Sequence, residues 1–219
     1  MNSLYVAYGV AWIAIFLLIS GPVHECAHAF AAWKLGDGTA KLFGRITLDP
    51  ITHFDPVGGG LLIVSVVLNV VSNGFGIGFG WAKPTPVNPY NLRGSHADTI
   101  VSAAGPVSNI GLAIVFAILF RLMTSQGYYA WNDNVPDLIT LVFYVGIQLN
   151  IALCIFNLIP VPPLDGSHVL LDFVSPRRAM ELRAFFNQYS LMLLLVVVLF
   201  FGRIITPIMD PIVGFLAGI

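Results

Sequence analysis

Apolar positions run along most of this chain, and the interruptions carry as much information as the runs. Four stretches are long and apolar enough to cross a bilayer as helices: Leu4 to Leu35, Thr99 to Leu122, Leu138 to Ile159 and Tyr189 to Ile205. A fifth, Val57 to Trp81, is less regular. It opens with Gly58-Gly59-Gly60, holds Asn69, Ser72 and Asn73 in its middle, and continues with Gly74, Gly76, Gly78 and Gly80. That many glycines weaken a straight helix and predict a chain that turns back halfway. From Ala40 to Asp55, Leu42, Phe43, Ile46 and Leu48 interleave with Gly44, Arg45, Thr47 and Asp49, a pattern that predicts short strands. Pro84, Pro86 and Pro89 exclude helix from Trp81 to Asn91 and favour an extended segment at a sheet edge or interface. The expected fold is a polytopic α-helical membrane protein of four to six spans. It comprises four transmembrane helices, a re-entrant or two-pass hairpin over 57–79, and short membrane-associated β-strands, in a single domain over 1–219. No internal repeat supports an inverted-repeat transporter.

Composition agrees: 57% of residues are hydrophobic and 10% charged, and the mean hydropathy is +0.85, outside the soluble globular range. A net charge of −1, with no basic groove or stacking platform, excludes nucleic acid as a partner. Cys26 and Cys154 lie in apolar runs and read as small core residues rather than a disulfide. The first apolar run lacks a basic n-region and a small-residue cleavage site, so it is expected to stay in the mature chain.

Basic residues gather at the cytoplasmic ends of membrane segments, which makes them a test of topology. If the 57–81 run crossed once, Lys34, Lys41, Arg45 and Arg121 would oppose Lys83, Arg93, Arg177, Arg178 and Arg183, with no clear bias. If it enters and leaves on one face, the eight residues other than Arg121 and Arg203 share that face. The second arrangement obeys the rule. It predicts an N-terminus outside and cytoplasmic loops around 34–56, 81–97 and 165–187.

Inside the first apolar run stands His24-Glu25-Cys26-Ala27-His28, an H-E-x-x-H pattern. Residues i and i+4 share a helix face, so two imidazoles can meet one metal ion, while the intervening glutamate reaches a water beside it. Ionisable groups in a spanning helix are costly unless they pair or bind, so a metal site at membrane depth is expected. Catalytic zinc commonly takes three protein ligands, which leaves a third to find. Candidates include His53, His96 and His168, with Asp133, Asp137 and Asp210 near the opposite face. Asp165 stands apart, because it follows Asn157-Leu158-Ile159-Pro160-Val161-Pro162-Pro163-Leu164. Such a proline-broken stretch at membrane depth is tolerated only when buried or lining a cavity. The hairpin topology also puts Asp165 and the H-E-x-x-H pair in the same membrane half. The bland reading of Asp165 is a cap or turn residue before Gly166, with His168 as substitute ligand.

These residues resemble the site-2 protease family of intramembrane zinc metalloproteases, in particular its short prokaryotic members without PDZ or CBS domains. The resemblance rests on the H-E-x-x-H pattern, on Gly44-Arg45-Ile46-Thr47-Leu48-Asp49-Pro50 with Asp55-Pro56, and on Gly80-Trp81-Ala82-Lys83-Pro84 with Pro86-Val87-Asn88-Pro89. It continues in Ala104-Gly105-Pro106-Val107-Ser108-Asn109 and in Asn157 to Gly166. The resemblance implies one Zn2+ ion held by His24, His28 and Asp165, with Glu25 as catalytic base. It also suggests a substrate-facing amide at Asn157, whose bland alternative is an interhelical hydrogen bond. The 57–79 hairpin is a departure from the family's minimal core. Gly105-Pro106 and Asn109 read as helix-packing residues, His53 and His96 as solvated loop residues, and Tyr128, Tyr129 and Trp131 as an outer aromatic belt.

The function expected is hydrolysis of peptide bonds within or near transmembrane segments, as in regulated intramembrane proteolysis. The partners would be single-span membrane proteins or membrane-retained peptides, and the lipid bilayer itself, in a prokaryotic cell membrane with the active site toward the cytoplasm. The alternative is a zinc-binding transporter or scaffold without proteolytic activity. The two part at Glu25, since only hydrolysis requires a base there.

Overall fold

A computed structural model describes residues 3–72, 78–125 and 137–219. Four of its helices are long and apolar enough to cross a membrane: α1, Ser3–Lys34; α3, Ala97–Ser125; α4, Leu138–Asn157; and α6, Pro176–Leu199. Between them lie α2, Pro56–Val71, and α5, Asp165–Phe173, and α7, Phe201–Ala217, closes the chain. The core sits where α1, α3, α4 and α7 meet. Trp12, Ile15, Phe116, Phe120, Val145 and Leu149 are buried there, and Gly146 lets the Phe116 ring lie directly on the α4 backbone.

Local sequence explains where the helices bend and stop. Pro22 has no amide to donate, and its ring would clash with the carbonyl four residues back. The preceding turn, Phe16–Ser20, accordingly widens to π geometry, with the Gly21 amide bonded to the Phe16 carbonyl. Downstream, Asp49-Pro50 and Asp55-Pro56 each start a helical turn with Asp as N-cap and Pro in the first turn. Asp49 Oδ1 accepts from the Ile51 amide at 3.0 Å, and Asp55 Oδ1 from the Gly58 amide at 2.7 Å. At the far end Gly218 takes a left-handed φ of 77°, and Arg121 of α3 donates to the Leu216 carbonyl at 2.7 Å and to that of Phe215. Arg121 thereby caps the α7 C-terminus, where a cation is favoured.

The 57–79 stretch departs from its flanking spans. Helix α2 has 16 residues, about 24 Å at ~1.5 Å per residue, short of a ~30 Å hydrocarbon core. Residues 78–81 then run back along it. The Ser65 hydroxyl donates to the Phe79 carbonyl at 3.1 Å and accepts from its amide at 2.8 Å, and Trp81 lies against Gly58. The chain therefore returns to the end from which it left.

At that end three connections meet. The Lys83 amide donates to the His53 carbonyl and the Arg93 amide to the Leu35 carbonyl, both at 2.8 Å. His96 and Thr99 clip α5 to the start of α3 through Asp172, at 2.8 and 2.5 Å. Asp37 is fully buried among the amides of Thr39 and Asn88, the Thr39 hydroxyl and the Asn91 side chain, at 2.5–3.1 Å. Burial pushes its pKa up, but those hydrogen bonds outweigh it and leave the carboxyl below the usual carboxylate range.

Several expectations are corrected. Among the described residues there is no β-strand. Residues 39–42 and 50–53 wind into single helical turns, because Asp49-Pro50 caps and Gly36 and Gly44 at positive φ turn the chain instead of extending it. The 81–88 segment is extended, but its amides bond to loop carbonyls and carboxylates rather than to a neighbouring strand. The fourth span starts at Pro176 rather than Tyr189 and breaks at Phe200, because the charged stretch after Pro176 is helical despite its polarity. His53 is buried, not solvated, and its Nε2 donates to the Thr47 carbonyl at 2.9 Å. The aromatic belt and Asp133 lie outside the described residues. Both cysteines are free.

Asp37→Asn should loosen the 83–93 segment and cost about 2–3 kcal/mol, the usual scale for hydrogen bonds to a charged group. Because the native pKa is lowered, the wild-type contribution is present above the ordinary carboxylate pKa and lost as pH falls through the native one. Thermal melts in detergent should show a wild-type advantage at neutral pH that shrinks in acid; an equal advantage at both would contradict this account.

Candidate metal centre

His24 and His28 project from one face of α1 into the angle between α1, α3 and α5, and both are buried. Asp165 opens α5, directly after the proline-broken stretch. A side chain at Gly166 would collide with the Leu158 and Ile159 carbonyls, so glycine there lets α5 tuck beneath the end of α4 and carry Asp165 to α1. One donor atom from each of His24, His28 and Asp165 lies within 4.8 Å of the other two.

Hydrogen bonding decides what these donors offer. The Val101 carbonyl lies 2.7 Å from His28 Nδ1 and can only accept, so Nδ1 carries the proton and Nε2 of the neutral ring presents a lone pair. His24 Nδ1 lies 2.6 Å from Asn109 Oδ1, which leaves its Nε2 in the same state. The two Nε2 atoms face each other at 3.0 Å, each 3.4 Å from Asp165 Oδ2. Asp165 Oδ2 is itself buried without a hydrogen-bond donor. Three acceptors converging on one point repel unless a cation lies between them. Ligands at tetrahedral angles and zinc-ligand distances stand roughly 3.3 Å apart, so the observed spacings fit such an ion. Second-partner hydrogen bonds of this kind orient metal-binding imidazoles.

Helix α3 passes so close that a Cβ at Gly105 would overlap the Nε2 atoms of both histidines. Glu25, half-buried on the same turn, is held from the other side by the extended segment. The Thr85 amide donates to Glu25 Oε2 at 2.8 Å, and the Thr85 hydroxyl to the Glu25 backbone carbonyl at 3.0 Å. The donor triad and Glu25 open into a cavity of about 560 Å³. Phe79, Trp81, Phe156, Leu164 and Leu194 give it apolar walls, and Asn157 lines it too.

The other candidates separate cleanly. Asn157 lines the cavity, and its Nδ2 donates to the Leu153 carbonyl of its own helix at 2.9 Å rather than across to another helix. His168 also lines the cavity but turns Nδ1 to Asp98 at 3.1 Å, outside the donor triad, and that hydrogen bond holds its pKa above the ordinary imidazole value. His53 and His96 are engaged in the loops, and Asp137 and Asp210 lie outside the cavity lining. Sequence reasoning missed Asn150 and Thr85, and took Gly105 and Asn109 for packing residues alone. The signal for the asparagines was there, since a carboxamide deep in an apolar helix needs a partner.

A family model, that of peptidase family M50, matches residues 129–201. YwhC of Bacillus subtilis, provisionally designated a zinc metalloprotease, is 41% identical over 169 residues, 75% of this chain and 70% of its own length. Rip2 of Mycobacterium tuberculosis, with the same provisional designation, is 31% identical over 186 residues, covering 83% of this chain and 64% of its own length. Rip2 of Mycolicibacterium smegmatis is 30% identical over 174 residues, 76% of this chain and 61% of its own length. No solved structure matches this chain.

Gly105→Ala should drive a methyl group into the donor triad. Divalent-cation affinity, measured by chelator competition, should fall by about tenfold or more while helicity by circular dichroism is retained. Unchanged affinity would mean that α3 does not press on the histidines.

Proposed function

We propose, for a chain that belongs to peptidase family M50, that it is an intramembrane zinc metalloprotease cleaving single-span membrane proteins or membrane-retained peptides. The observation that carries this is the meeting of three acceptors, His24 Nε2, His28 Nε2 and Asp165 Oδ2, beside a half-buried glutamate in an apolar-walled cavity. In this reading those three atoms hold the zinc ion. Bound there, zinc supplies a Lewis acid that acidifies water and polarises a peptide carbonyl.

The rest is the work of the chain's own residues. Glu25 keeps Oε2 on the Thr85 amide, which fixes the carboxylate and leaves Oε1 to take a proton from the attacking water. The same oxygen then returns the proton to the leaving amine. Apolar walls at Phe79, Trp81 and Phe156 accept side chains from a membrane segment and limit water around the reacting bond. Asn157, on the cavity wall, is placed to meet substrate only if it exchanges its bond to Leu153 for one to the incoming chain.

A helical substrate hides its carbonyls in hydrogen bonds and must unwind to be cut. The 83–87 segment supports a reading in which the unwound stretch docks beside it as a strand. The Lys83 and Thr85 amides face the protein body, so alternation turns residues 84 and 86 to the free edge. Both are prolines, which leaves that edge with carbonyl acceptors and no amide donors. Such an edge takes amides from a substrate strand but cannot pair with a copy of itself.

In membrane terms, the return of 78–81 along α2 supports a re-entrant hairpin. With eight basic residues then on one face, the N-terminus lies outside and the metal centre opens toward the cytoplasm in a prokaryotic cell membrane. Cleavage of a membrane-anchored protein from that side fits regulated intramembrane proteolysis.

Glu25→Gln should retain bound zinc and lose cleavage of single-span substrates in detergent by at least about a hundredfold, the lower range for a lost acid–base catalyst. A Glu25→Gln protein that still cleaves would remove the base from this mechanism; zinc in both proteins and cleavage by neither would send the search to metal flux in liposomes. Replacing residues 83–87 with a glycine-serine segment should slow cleavage without changing zinc content, and an unaltered rate would refute docking beside that segment.

A further inference from the structure

His24 and His28 have their free nitrogens set by different means. His28 is fixed directly by a backbone carbonyl, that of Val101. For His24 the partner is Asn109, a carboxamide that could present either oxygen or nitrogen, so something further along must decide which. Asn109 Nδ2 donates to Asn150 Oδ1 at 2.9 Å, and Asn150 Nδ2 donates to the Gly146 carbonyl at 2.8 Å. Both asparagines have 0% of their surface exposed, so no bulk water can take over if either amide turns round.

Resting on the metal-site reading above, we propose that Asn150 and Asn109 form a directional relay that sets the tautomer of His24 from the backbone of α4, making both residues positioning residues for the metal centre. The direction follows from chemistry alone. A peptide carbonyl only accepts, so Gly146 orients the NH2 of Asn150 toward itself and turns the Asn150 oxygen to Asn109. That oxygen takes the Asn109 NH2, which leaves the Asn109 oxygen facing His24 at 2.6 Å. The oxygen can only accept, Nδ1 must carry the proton, and the lone pair is left on Nε2 beside His28 and Asp165. Reversing Asn150 would set its oxygen against the Gly146 carbonyl, and reversing Asn109 alone would set its oxygen against Asn150 Oδ1. Gly146 serves the relay twice, because the absence of a side chain lets Phe116 pack on α4 and brings Asn150 within reach of Asn109.

The test uses the full chain labelled with 15N-histidine, in detergent, metal-free and above the imidazole titration, with ring-nitrogen shifts assigned by single histidine replacements. In the wild type His24 is expected as the Nδ1–H tautomer. Asn150→Leu should spread His24 over both tautomers while His28, held by backbone, does not change, and zinc affinity by chelator competition should fall about tenfold. Asn109→Leu, which takes the acceptor away from His24 Nδ1, should likewise spread the tautomer. A wild-type His24 protonated on Nε2 overturns the relay, whether or not the variants fold. So does an Asn150→Leu protein with unchanged His24 shifts and affinity, one in which His28 shifts as much as His24, or an Asn109→Leu protein that keeps the single tautomer. The expected wild-type tautomer in a chain that binds no zinc would uphold the relay and sink the metalloprotease reading instead.

Discussion

Polar groups that water cannot reach must be satisfied by other parts of the protein, and the arrangement around α1 follows from that constraint. His24 and His28 sit in a helix that is otherwise largely apolar. Their Nδ1 protons find Asn109 and Val101 on α3, and the Asn109 amide finds Asn150 on α4. Three long helices are tied by this single thread of hydrogen bonds. Where the thread ends, two Nε2 atoms face each other and a carboxylate oxygen that has no hydrogen-bond donor among the described residues. A cation is the natural partner for such a set.

Close backbone approach is the second requirement, and glycine supplies it at each junction of the site. Gly105 lets α3 cross the face of the two histidines, Gly146 lets α3 and α4 come together at Phe116, and Gly166 lets α5 slide under the carbonyls of Leu158 and Ile159. A methyl group at any of these positions would meet backbone or ring atoms. The metal centre is therefore as much a product of small residues as of ligands. Prolines act the other way, by withholding amides. Pro22 opens the π turn ahead of the motif, and Pro84 with Pro86 leaves the extended segment with a donor-free edge beside Glu25.

The extended segment shows how a correct local reading can lead to a wrong structural one. Its prolines keep 81–88 out of helix, although Pro89 opens a short 3-10 turn, Pro89–Asn91, because a proline fits the first helical position. Extension made a strand seem natural, and a strand needs a partner ladder. Here the amides of 83, 85 and 88 are consumed by His53, Glu25 and Asp37. His53 was misjudged for a related reason. A histidine in a polar stretch is usually solvated, yet the 44–56 loop folds back beneath the extended segment and closes over the ring.

Hydropathy and spacing alone determined that the chain carries four membrane-length apolar helices and an irregular fifth stretch, and that His24, Glu25 and His28 share a helix turn, because both are local properties with a fixed period. The proline-broken approach to Asp165 singled out the third donor, since a helix break at membrane depth is expensive without purpose. Only the tertiary structure decided that Asp165 rather than His168 completes the donor triad, that Asn109 and Asn150 stand behind His24, and that Thr85 lies on Glu25. Those pairs lie between 41 and 141 positions apart in the chain. Nothing in the pattern of one segment records which carboxamide or amide of another will face it, because that is settled by how closely the helices pack.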